Sequence, residues 1–462
     1  MVKPAPIAQS LADSLARQIA EGAFKAGDKL PSLRELAQLH GYAKNTVVAA
    51  FELLVARGLI EPRRGAGYYV KSAARAERRD EAVGSLGRAM DIVWMMREQF
   101  KAVPDALPVG DGFPPVQWLA DVRLDKYHHQ VVRTGLGALF RYGTRYGYAP
   151  LREHLVRKLA DFGIGAEPRQ VLLTQGANEA LDLVVRYFVP PGGTVLVDDP
   201  GYYLLFGKLK LAGAHIVGVP RGPDGPDLAA LEQLLVTWKP RLFFTQSVAH
   251  NPTGSDTSAA KAFRILQLAQ AHDLMIVEND ALADFKPTAS SRLSSLDQLE
   301  RTIYIGSFSK SFSAALRVGF IACGADLASD LADLKALIHA NSSEYCERML
   351  DVILSEGRYQ RHLSRLRERL SQATAQAQKV LDGLGAETFA RNPQSLYLWA
   401  SLPGVPDSLT LARELLPRGV MMAPGRLFCV DSSSACAWSR FNVGAVCDPR
   451  FEPALRACLP KF

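Results

Sequence analysis

Residues 303–310 read IYIGSFSK and place a lysine, Lys310, directly after a short apolar run and two serines. The run has the length and composition of a strand buried in a parallel sheet. Most lysines are surface charges, however, and the pattern serine-x-serine-lysine also occurs by chance. Lys310 therefore indicates a functional site only if other polar residues accompany it.

Two polar residues precede Lys310 at nearly equal intervals. Asn251 lies 29 residues before Asp280, and Asp280 lies 30 residues before Lys310. Each of the three stands at the C-terminal end of a strand-like run. In an open α/β sheet, ligands bind beyond the carboxyl ends of the strands. Three such ends can bring an amide, a carboxylate and an amine into one cleft.

Strand-like runs and helical patterns alternate from about residue 100 to the C-terminus, which predicts an α/β fold. The runs are mostly apolar, as expected for strands of a buried parallel sheet. They lie at 171–174, 195–197, 242–245, 275–277, 303–305 and 318–322. The first run leads into Gly176 and Ala177 at a helix start, where backbone amides can hold a phosphate.

These positions resemble those of the fold-type I pyridoxal-phosphate enzymes, the aspartate aminotransferase-like superfamily, from about Gly110 to the C-terminus. The resemblance implies that Lys310 forms a Schiff base with the aldehyde of pyridoxal 5'-phosphate. It implies that Asp280 pairs with the ring nitrogen and that Asn251 binds the phenolic oxygen. Tyr202, in the run DPGY, would stack on the ring.

The resemblance also implies contacts to the phosphate, to a partner subunit and to a substrate. The phosphate contacts would be Gly176, Ala177, Ser307, Ser309 and Arg317. Tyr142 resembles the tyrosine that reaches into the partner subunit's site, which implies a homodimer. Arg440, in the run SRFN, resembles the arginine that binds a substrate carboxylate, a role that suits a planar bidentate donor. Ordinary core, interface or surface roles are the alternatives for Tyr142, Tyr202 and Arg440.

One position departs from the family pattern. A tyrosine often follows the aspartate within three residues, but Asp280 is followed by Ala281, Leu282 and Ala283. None of these side chains can donate a hydrogen bond to the phenolic oxygen. The loss of that donor is expected to change the ionisation or tilt of the bound ring. It counts against efficient transamination but not against cofactor binding.

The first seventy residues contain a second set of motifs. Ser32 and Glu35 have the spacing of a capping box at the start of a helix. Three helical patterns are followed by two strand-like runs around a basic turn, at 7–21, 32–40, 44–57, 59–62 and 67–70. Three helices and a basic hairpin describe a winged helix-turn-helix whose third helix enters the major groove.

The run GDKLPSLRELA at 27–37 resembles the signature of the GntR family of bacterial regulators, and NTV at 45–47 and RGAGY at 64–68 agree with it. Lysine and arginine contacts to phosphate give affinity, while Asn45 or Arg34 can read base edges. The expected DNA contacts are Arg34, Lys44, Asn45, Thr46, Arg63, Arg64 and Gly65.

Charge and composition fit two functional parts. Residues 1–75 hold eleven of the basic and six of the acidic side chains, which is +5 of the net +7. No apolar run approaches the ~18–20 residues of a membrane helix. The first 24 residues lack the apolar core of a signal peptide, and the six cysteines lack zinc-site spacing. We therefore expect a cytoplasmic protein with reduced thiols, no bound metal and no membrane partner.

Together the two parts resemble the MocR/GabR subfamily of GntR-family regulators. The resemblance implies a transcription factor that binds operator DNA and senses an amine or amino-acid effector, or the vitamer itself, through Lys310. The predicted domains are an α+β winged helix-turn-helix at 1–72, a linker at 73–89 and an aminotransferase-like domain at 90–462. The large α/β part of the latter is expected at about 110–325 and the smaller α+β part at about 326–462.

Two other interpretations stay open on the sequence alone. An active aminotransferase with an accessory DNA-binding domain is compatible with Lys310, Asp280, Asn251 and Arg440, although the absent tyrosine counts against it. A DNA-binding protein whose second domain has lost the cofactor and only dimerises is disfavoured by the intact Lys310, Asp280 and Arg317. The sequence identifies neither the effector nor the target genes.

Overall fold

The computed structural model describes residues 7–20, 24, 27–63, 67–70, 106–122, 124–133, 140–286, 291–392 and 394–459. The chain divides into two units, Met1–Leu86 and Gly87–Phe462. The linker predicted at 73–89 lies outside the described residues, as do the predicted DNA contacts Arg64 and Gly65.

The N-terminal unit consists of three helices and an antiparallel hairpin. These elements are α1 (Ile7–Ala20), α2 (Leu33–His40), α3 (Lys44–Ala56), β1 (Ile60–Arg63) and β2 (Gly67–Val70). The predicted capping box is confirmed at the start of α2: the amide of Glu35 donates to Ser32 Oγ at 3.3 Å, and the amide of Ser32 donates to the Glu35 carboxylate at 2.7 Å. Gly41 ends α2 at φ 65°, a conformation that glycine adopts without strain.

A small apolar core holds this unit together. Leu11 and Leu15 of α1 and Val47 and Phe51 of α3 are buried in one cluster, because apolar residues recur at helical spacing on both elements. The ring of Phe51 meets Tyr68 of β2 edge to face, with centroids 4.8 Å apart. The hairpin is therefore packed directly against α3.

The second unit is built on an eight-stranded sheet. Its strands are β3 (Val171–Thr174), β4 (Thr194–Asp199), β5 (His215–Gly222), β6 (Gly225–Pro226), β7 (Leu242–Thr245), β8 (Met275–Asp280), β9 (Thr302–Ser307) and β10 (Gly319–Ala322). They lie in the order β3-β10-β9-β8-β7-β4-β5-β6. From β5 to β9 the neighbouring strands are parallel. The carboxyl ends of β7, β8 and β9 therefore meet at one edge of the sheet.

Strand β10 does not follow the prediction. The apolar run at 318–322 predicts a parallel strand, and this is wrong: β10 is antiparallel to both β9 and β3. Only residues 308–318 connect β9 to β10, and they contain no helix. A parallel connection needs a crossover of about a dozen or more residues, usually including a helix. The short return instead carries Lys310 and Arg317 along the end of the sheet.

Helices surround this sheet and extend into the smaller part of the unit. They are α4 (Val116–Leu119), α5 (Asp125–Arg133), α6 (Ala149–Asp161), α7 (Ala177–Phe188), α8 (Tyr203–Leu211), α9 (Leu228–Trp238), α10 (Ala259–Ala271), α11 (Leu293–Asp297), α12 (Ala325–His339), α13 (Glu344–Ser355), α14 (Arg358–Gly383), α15 (Ser408–Leu415), α16 (Val443–Val446) and α17 (Phe451–Arg456). Within the described ranges, none of the helices has the length and apolarity to cross a bilayer.

The smaller part contains an antiparallel sheet, with strands β11 (Glu387–Thr388), β12 (Tyr397–Ser401), β13 (Ala423–Pro424) and β14 (Trp438–Asn442) in the order β11-β12-β14-β13. A segment from much earlier in the chain joins it. The amide of Gly110 donates to the carbonyl of Met421 at 2.7 Å, and the amide of Asn442 donates to the carbonyl of Val109 at 2.7 Å. The turn that follows Gly110 is thereby attached to β14.

Candidate active site

A cavity of about 420 Å³ opens beyond the carboxyl ends of β8 and β9. Eight of the predicted site residues line it: Ala177, Tyr202, Asn251, Ser307, Ser309, Lys310, Arg317 and Arg440. Gly176 precedes the first of them. Asp280 lies between two further lining residues, Asn279 and Ala281. Tyr142 is 86 % exposed and is not among the described residues that line the cavity.

Lys310 is enclosed by this cavity, with its Nζ 3.1 Å from the centroid of the Phe113 ring. Desolvation lowers the pKa of Lys310 to about 7, since burial disfavours the charged amine. Asp111 opposes that shift, while the positive charges of Arg440 and Arg317 add to it. The neutral amine is the form that attacks a carbonyl carbon. The lowered pKa therefore keeps a larger share of the Lys310 amine in that neutral form near neutral pH.

Asp280, the last residue of β8, is 2 % exposed. Its Oδ2 accepts a hydrogen bond from Arg292 Nε at 2.6 Å and another from the Tyr304 hydroxyl at 3.0 Å. Its Oδ1 is buried and has no hydrogen-bond partner among the described residues. A buried carboxylate oxygen without a donor is costly. A protonated ring nitrogen would supply that donor, so the carboxylate fits the group that the fold family binds.

A second arrangement fits a phosphate. Gly176 begins α7 at φ 77°, and a Cβ at this position would lie 2.8 Å from Arg317 Nη2. That guanidinium donates to the Gln175 carbonyl at 2.9 Å and to Ser309 Oγ at 3.4 Å. Helix amides, hydroxyls and an arginine are the groups that commonly hold an anion in proteins. Glycine at 176 lets the Arg317 guanidinium lie close to the start of the helix.

Arg440 is almost completely buried, at 1 % exposure, and its orientation is fixed. Its Nη1 donates to Asn251 Oδ1 at 2.9 Å, and its Nη2 donates to the Gly110 carbonyl at 2.7 Å. The rings of Tyr397 and Phe428 lie 4.6 and 4.9 Å from the guanidinium carbon. Its Nε has no hydrogen-bond partner in the described part of the chain. A preorganised, desolvated guanidinium of this kind suits recognition of a carboxylate.

The turn at 111–113 also lies at the site, although no sequence motif indicates it. Asn442 Nδ2 donates to the carbonyls of Asp111 at 3.1 Å and Phe113 at 2.6 Å, and the Tyr397 hydroxyl donates to the Gly112 carbonyl at 2.8 Å. These contacts hold Asp111 and Phe113 beside the lysine. Burial raises the pKa of Asp111, although the charge of the nearby lysine opposes the rise. The glycines and prolines of this segment signal a turn, but no local motif places it at the site.

The N-terminal unit presents most of its predicted DNA contacts to solvent. Arg34, Lys44 and Asn45 are exposed, and Thr46 is half-buried. The last three form the first turn of α3. Arg63 lies on the hairpin, but its guanidinium carbon stacks 4.3 Å from the Tyr69 ring centroid and it pairs with Glu61 at 3.2 Å. Part of its charge is therefore already engaged.

Lys29 is a further basic residue near the same hairpin. It is not among the DNA contacts predicted from the sequence. It forms an isolated antiparallel bridge with a residue of β2, and its Cε lies 3.2 Å from where a Cβ on Gly67 would be. Lys29 is exposed. It therefore adds a positive charge beside the hairpin.

Comparison with known proteins finds the same two parts. The family described as Aminotransferase class I and II matches residues 126–455, and the family described as Bacterial regulatory proteins, gntR family, matches residues 7–70. The chain belongs to the MocR/GabR subfamily of transcriptional regulators. It is a GntR-type DNA-binding domain fused to a fold-type I aminotransferase domain, from a family that typically binds pyridoxal phosphate.

Relatives of this MocR-type regulator match over nearly their whole length. The uncharacterized HTH-type transcriptional regulator YdcR of Escherichia coli (strain K12) is 29 % identical, over 94 % of this chain and 93 % of its own. The probable rhizopine catabolism regulatory protein MocR of Rhizobium meliloti is 28 % identical, over 91 % of this chain and 86 % of its own. The crystal structure of LysN, an alpha-aminoadipate aminotransferase from Thermus thermophilus, superposes with a TM-score of 0.72 at 26 % identity, over 79 % of this chain and 95 % of that one.

Proposed function

We propose that this regulator holds pyridoxal 5'-phosphate on Lys310 and changes its binding to operator DNA when an amino-containing effector reaches the site. The observation that carries the proposal is a cavity lined by a lysine with a lowered pKa and by the fixed guanidinium of Arg440, with the buried carboxylate of Asp280 between two further lining residues. When bound, the cofactor supplies an aldehyde for amines and a ring that withdraws electrons.

The chain's own residues would hold the cofactor from three sides. Asp280 Oδ1 would accept from the ring nitrogen, and Arg317 with the first turn of α7 would hold the phosphate. Because Asn251 Oδ1 accepts from Arg440, the amide nitrogen of Asn251 is left to donate to the phenolic oxygen. Tyr202, which lines the cavity, would stack on the ring.

The proposed effector carries an amino group. It is an amino acid if Arg440 takes part in its binding. Its amino group would displace Lys310 from the cofactor, and its carboxylate would lie on Arg440. The released lysine would then hold a proton beside Asp111, which favours its charged form. Occupancy of Lys310 by the vitamer itself is the alternative signal within the same function.

The signal to DNA is proposed to start where the two sheets of the second unit meet. Arg440 belongs to β14, whereas Asn251 follows β7 of the large sheet. A carboxylate bound on Arg440 would change this contact between the sheets. A ligand shifts such an equilibrium only by its differential affinity for the two arrangements. In the proposed homodimer, the exposed Tyr142 would reach the partner's cavity.

A working aminotransferase is the second candidate function. Lys310, Asn251 and Arg440 line one cavity, and the 2-aminoadipate transaminase of Thermus thermophilus is 30 % identical over 70 % of this chain and 82 % of its own. Repeated conversion of an amino acid and a keto acid by purified protein would favour this candidate. A single stoichiometric reaction, or none, would favour the regulator.

The first test is to trap the cofactor on the protein. Full-length protein incubated with pyridoxal phosphate and reduced with borohydride should carry the label on the peptide that contains Lys310. The variant Lys310→Ala should remain folded by circular dichroism and carry none there. Label confined to surface lysines would reject the proposed attachment.

The second test is operator binding. Affinity for the DNA upstream of the protein's own gene should change with the cofactor in the wild type and stay constant in Lys310→Ala. Random DNA of equal length is the control. Binding that is equal for both DNAs, with and without cofactor, would reject a cofactor-linked regulator and favour the enzyme.

A further inference from the structure

A buried cation, Arg292, pairs with Asp280 and is not among the described residues that line the cavity. Arg292 is 0 % exposed, and its Nε lies 2.6 Å from Asp280 Oδ2. Its guanidinium carbon is 4.1 Å from the centroid of the Phe162 ring, which excludes water from one face. Arginine stays protonated at any physiological pH. Asp280 is thus one partner of a buried ion pair.

Tyr304 strengthens this arrangement. Its hydroxyl donates to the same Oδ2 from the neighbouring strand β9, and burial together with Asp280 raises the pKa of Tyr304 well above its usual range. The hydroxyl therefore stays a donor. Both donors engage Oδ2, so the carboxylate is held with Oδ1 as its free oxygen.

The other charges near this pair leave Arg292 as the closest counter-charge to Asp280. Glu278, two residues earlier on β8, accepts from the Ser294 amide at 2.8 Å and the Leu293 amide at 2.9 Å. Burial raises the pKa of Glu278. Lys286 is paired with Asp256 at 2.8 Å.

We propose that Arg292 and Tyr304 are positioning residues that orient Asp280 toward the cofactor's ring nitrogen and offset its negative charge, so that this chain protonates the ring less strongly than a lone carboxylate would. The proposal rests on the cofactor binding proposed above. It follows from electrostatics: a carboxylate raises the pKa of a neighbouring base through its charge, and an adjacent guanidinium cancels part of that charge.

The consequence is a site that binds amines but activates them weakly. Electron withdrawal by the ring depends on the proton at its nitrogen. When the ring nitrogen holds its proton less firmly, removal of a proton from the bound effector becomes slower. Attachment of the effector to the cofactor is not slowed. Such a balance suits a sensor that holds its effector, and it acts in the same direction as the alanine and leucine that follow Asp280.

The test reads the ring nitrogen directly. Full-length protein is loaded with pyridoxal phosphate labelled with ¹⁵N in the ring, and the ¹⁵N chemical shift is followed against pH. Arg292→Met should raise the pH at which the ring nitrogen loses its proton by at least about one unit, a tenfold rise in proton affinity. Arg292→Lys keeps the charge and should stay close to the wild type.

Lys335→Met is the matched control. Lys335 is also 0 % exposed and binds the Leu173 carbonyl at 2.8 Å, away from Asp280. The substitution removes a buried cation. It should leave unchanged the pH midpoint at which the ring nitrogen loses its proton. A shift in Lys335→Met equal to that in Arg292→Met would overturn the proposal, because the effect would then be a general consequence of destabilisation.

Tyr304→Phe keeps the proposal testable if Arg292→Met does not fold. It removes one neutral donor from Asp280 Oδ2. It should also raise the pH midpoint of the ring nitrogen, but by a smaller amount. An unchanged midpoint in the folded Arg292 variant, or in Tyr304→Phe where that variant does not fold, would overturn the proposal. Wild-type protein that takes up no labelled cofactor would instead overturn the proposed function.

Discussion

Arg440 Nη1 donates a 2.9 Å hydrogen bond to Asn251 Oδ1, and this bond joins β14 of the small sheet to the loop that follows β7 of the large one. The two residues are 189 positions apart in the chain. The same guanidinium also holds the Gly110 carbonyl. One side chain thus connects the small sheet, the large sheet and the turn beside Lys310.

Arg440→Lys is expected to weaken binding of amino-acid effectors by about a hundredfold. Lysine keeps the charge but cannot make the bidentate contact, and truncating one partner of a buried charge pair costs about 2–5 kcal/mol. Spectral titration of the cofactor-loaded protein measures the effect. A matched amine that lacks the carboxylate is the control and should bind both proteins equally. Equal losses for the two ligands would show that Arg440 does not recognise the carboxylate.

Gly176→Ala is expected to lower the affinity for pyridoxal phosphate. The new Cβ would lie 2.8 Å from Arg317 Nη2, in a backbone conformation at φ 77° that alanine adopts only with strain. Gly192→Ala is a close control, because Gly192 has the same φ of 77° but nothing within 4 Å of its added Cβ. Both variants should lose about 1–3 kcal/mol of stability because of backbone strain, measured by denaturant unfolding. Only Gly176→Ala should also lose cofactor affinity, measured by equilibrium dialysis.

The rate of cofactor attachment is expected to follow the lowered pKa of Lys310. Because the neutral amine is the nucleophile and the pKa is about 7, the rate should rise about tenfold per pH unit below pH 7 and level off above it. Stopped-flow absorption of apo-protein mixed with pyridoxal phosphate measures this. Asp111→Asn removes the charge that raises this pKa, so its midpoint should move to lower pH. A rate that still climbs steeply at pH 9 would indicate an ordinary lysine.

Lys44→Ala and Asn45→Ala are expected to affect DNA binding in different ways. A lysine contact to phosphate contributes about one unit to the slope of log affinity against log salt, so Lys44→Ala should reduce that slope by about one on any sequence. Asn45→Ala should reduce discrimination between operator and random DNA by about 1–3 kcal/mol. Fluorescence anisotropy at several salt concentrations separates the two effects. Lys261→Ala, on the second unit and paired with Asp224, should change neither.

Much of the architecture is visible in local sequence. The runs at 171–174 and 242–245 are strands with the predicted bounds, because a strand buried on both faces is apolar at nearly every position. The capping box of Ser32 and Glu35 forms because both partners lie within one helical turn. The grouping of Lys310 and Asn251 could be anticipated since ligands bind where parallel strands end.

Other features depend on contacts between distant segments. The antiparallel direction of β10 is set by a connection too short for a crossover, and an apolar run carries no sign of direction. The turn at Asp111 lies beside Lys310 because Asn442 and Tyr397 hold it from the small sheet. No property of residue 111 taken alone could indicate this.

The sequence by itself determined which chemical groups this regulator carries: a DNA-binding helix with Lys44 and Asn45 at its start, and an amine, a carboxylate and an amide at successive strand ends. Only the tertiary structure decided their environment. Arg292 and Tyr304 meet Asp280 from other segments, and burial changes the pKa of Lys310. The physical reason is that desolvation and ion pairing depend on distance in space, which strand pairing and core packing set.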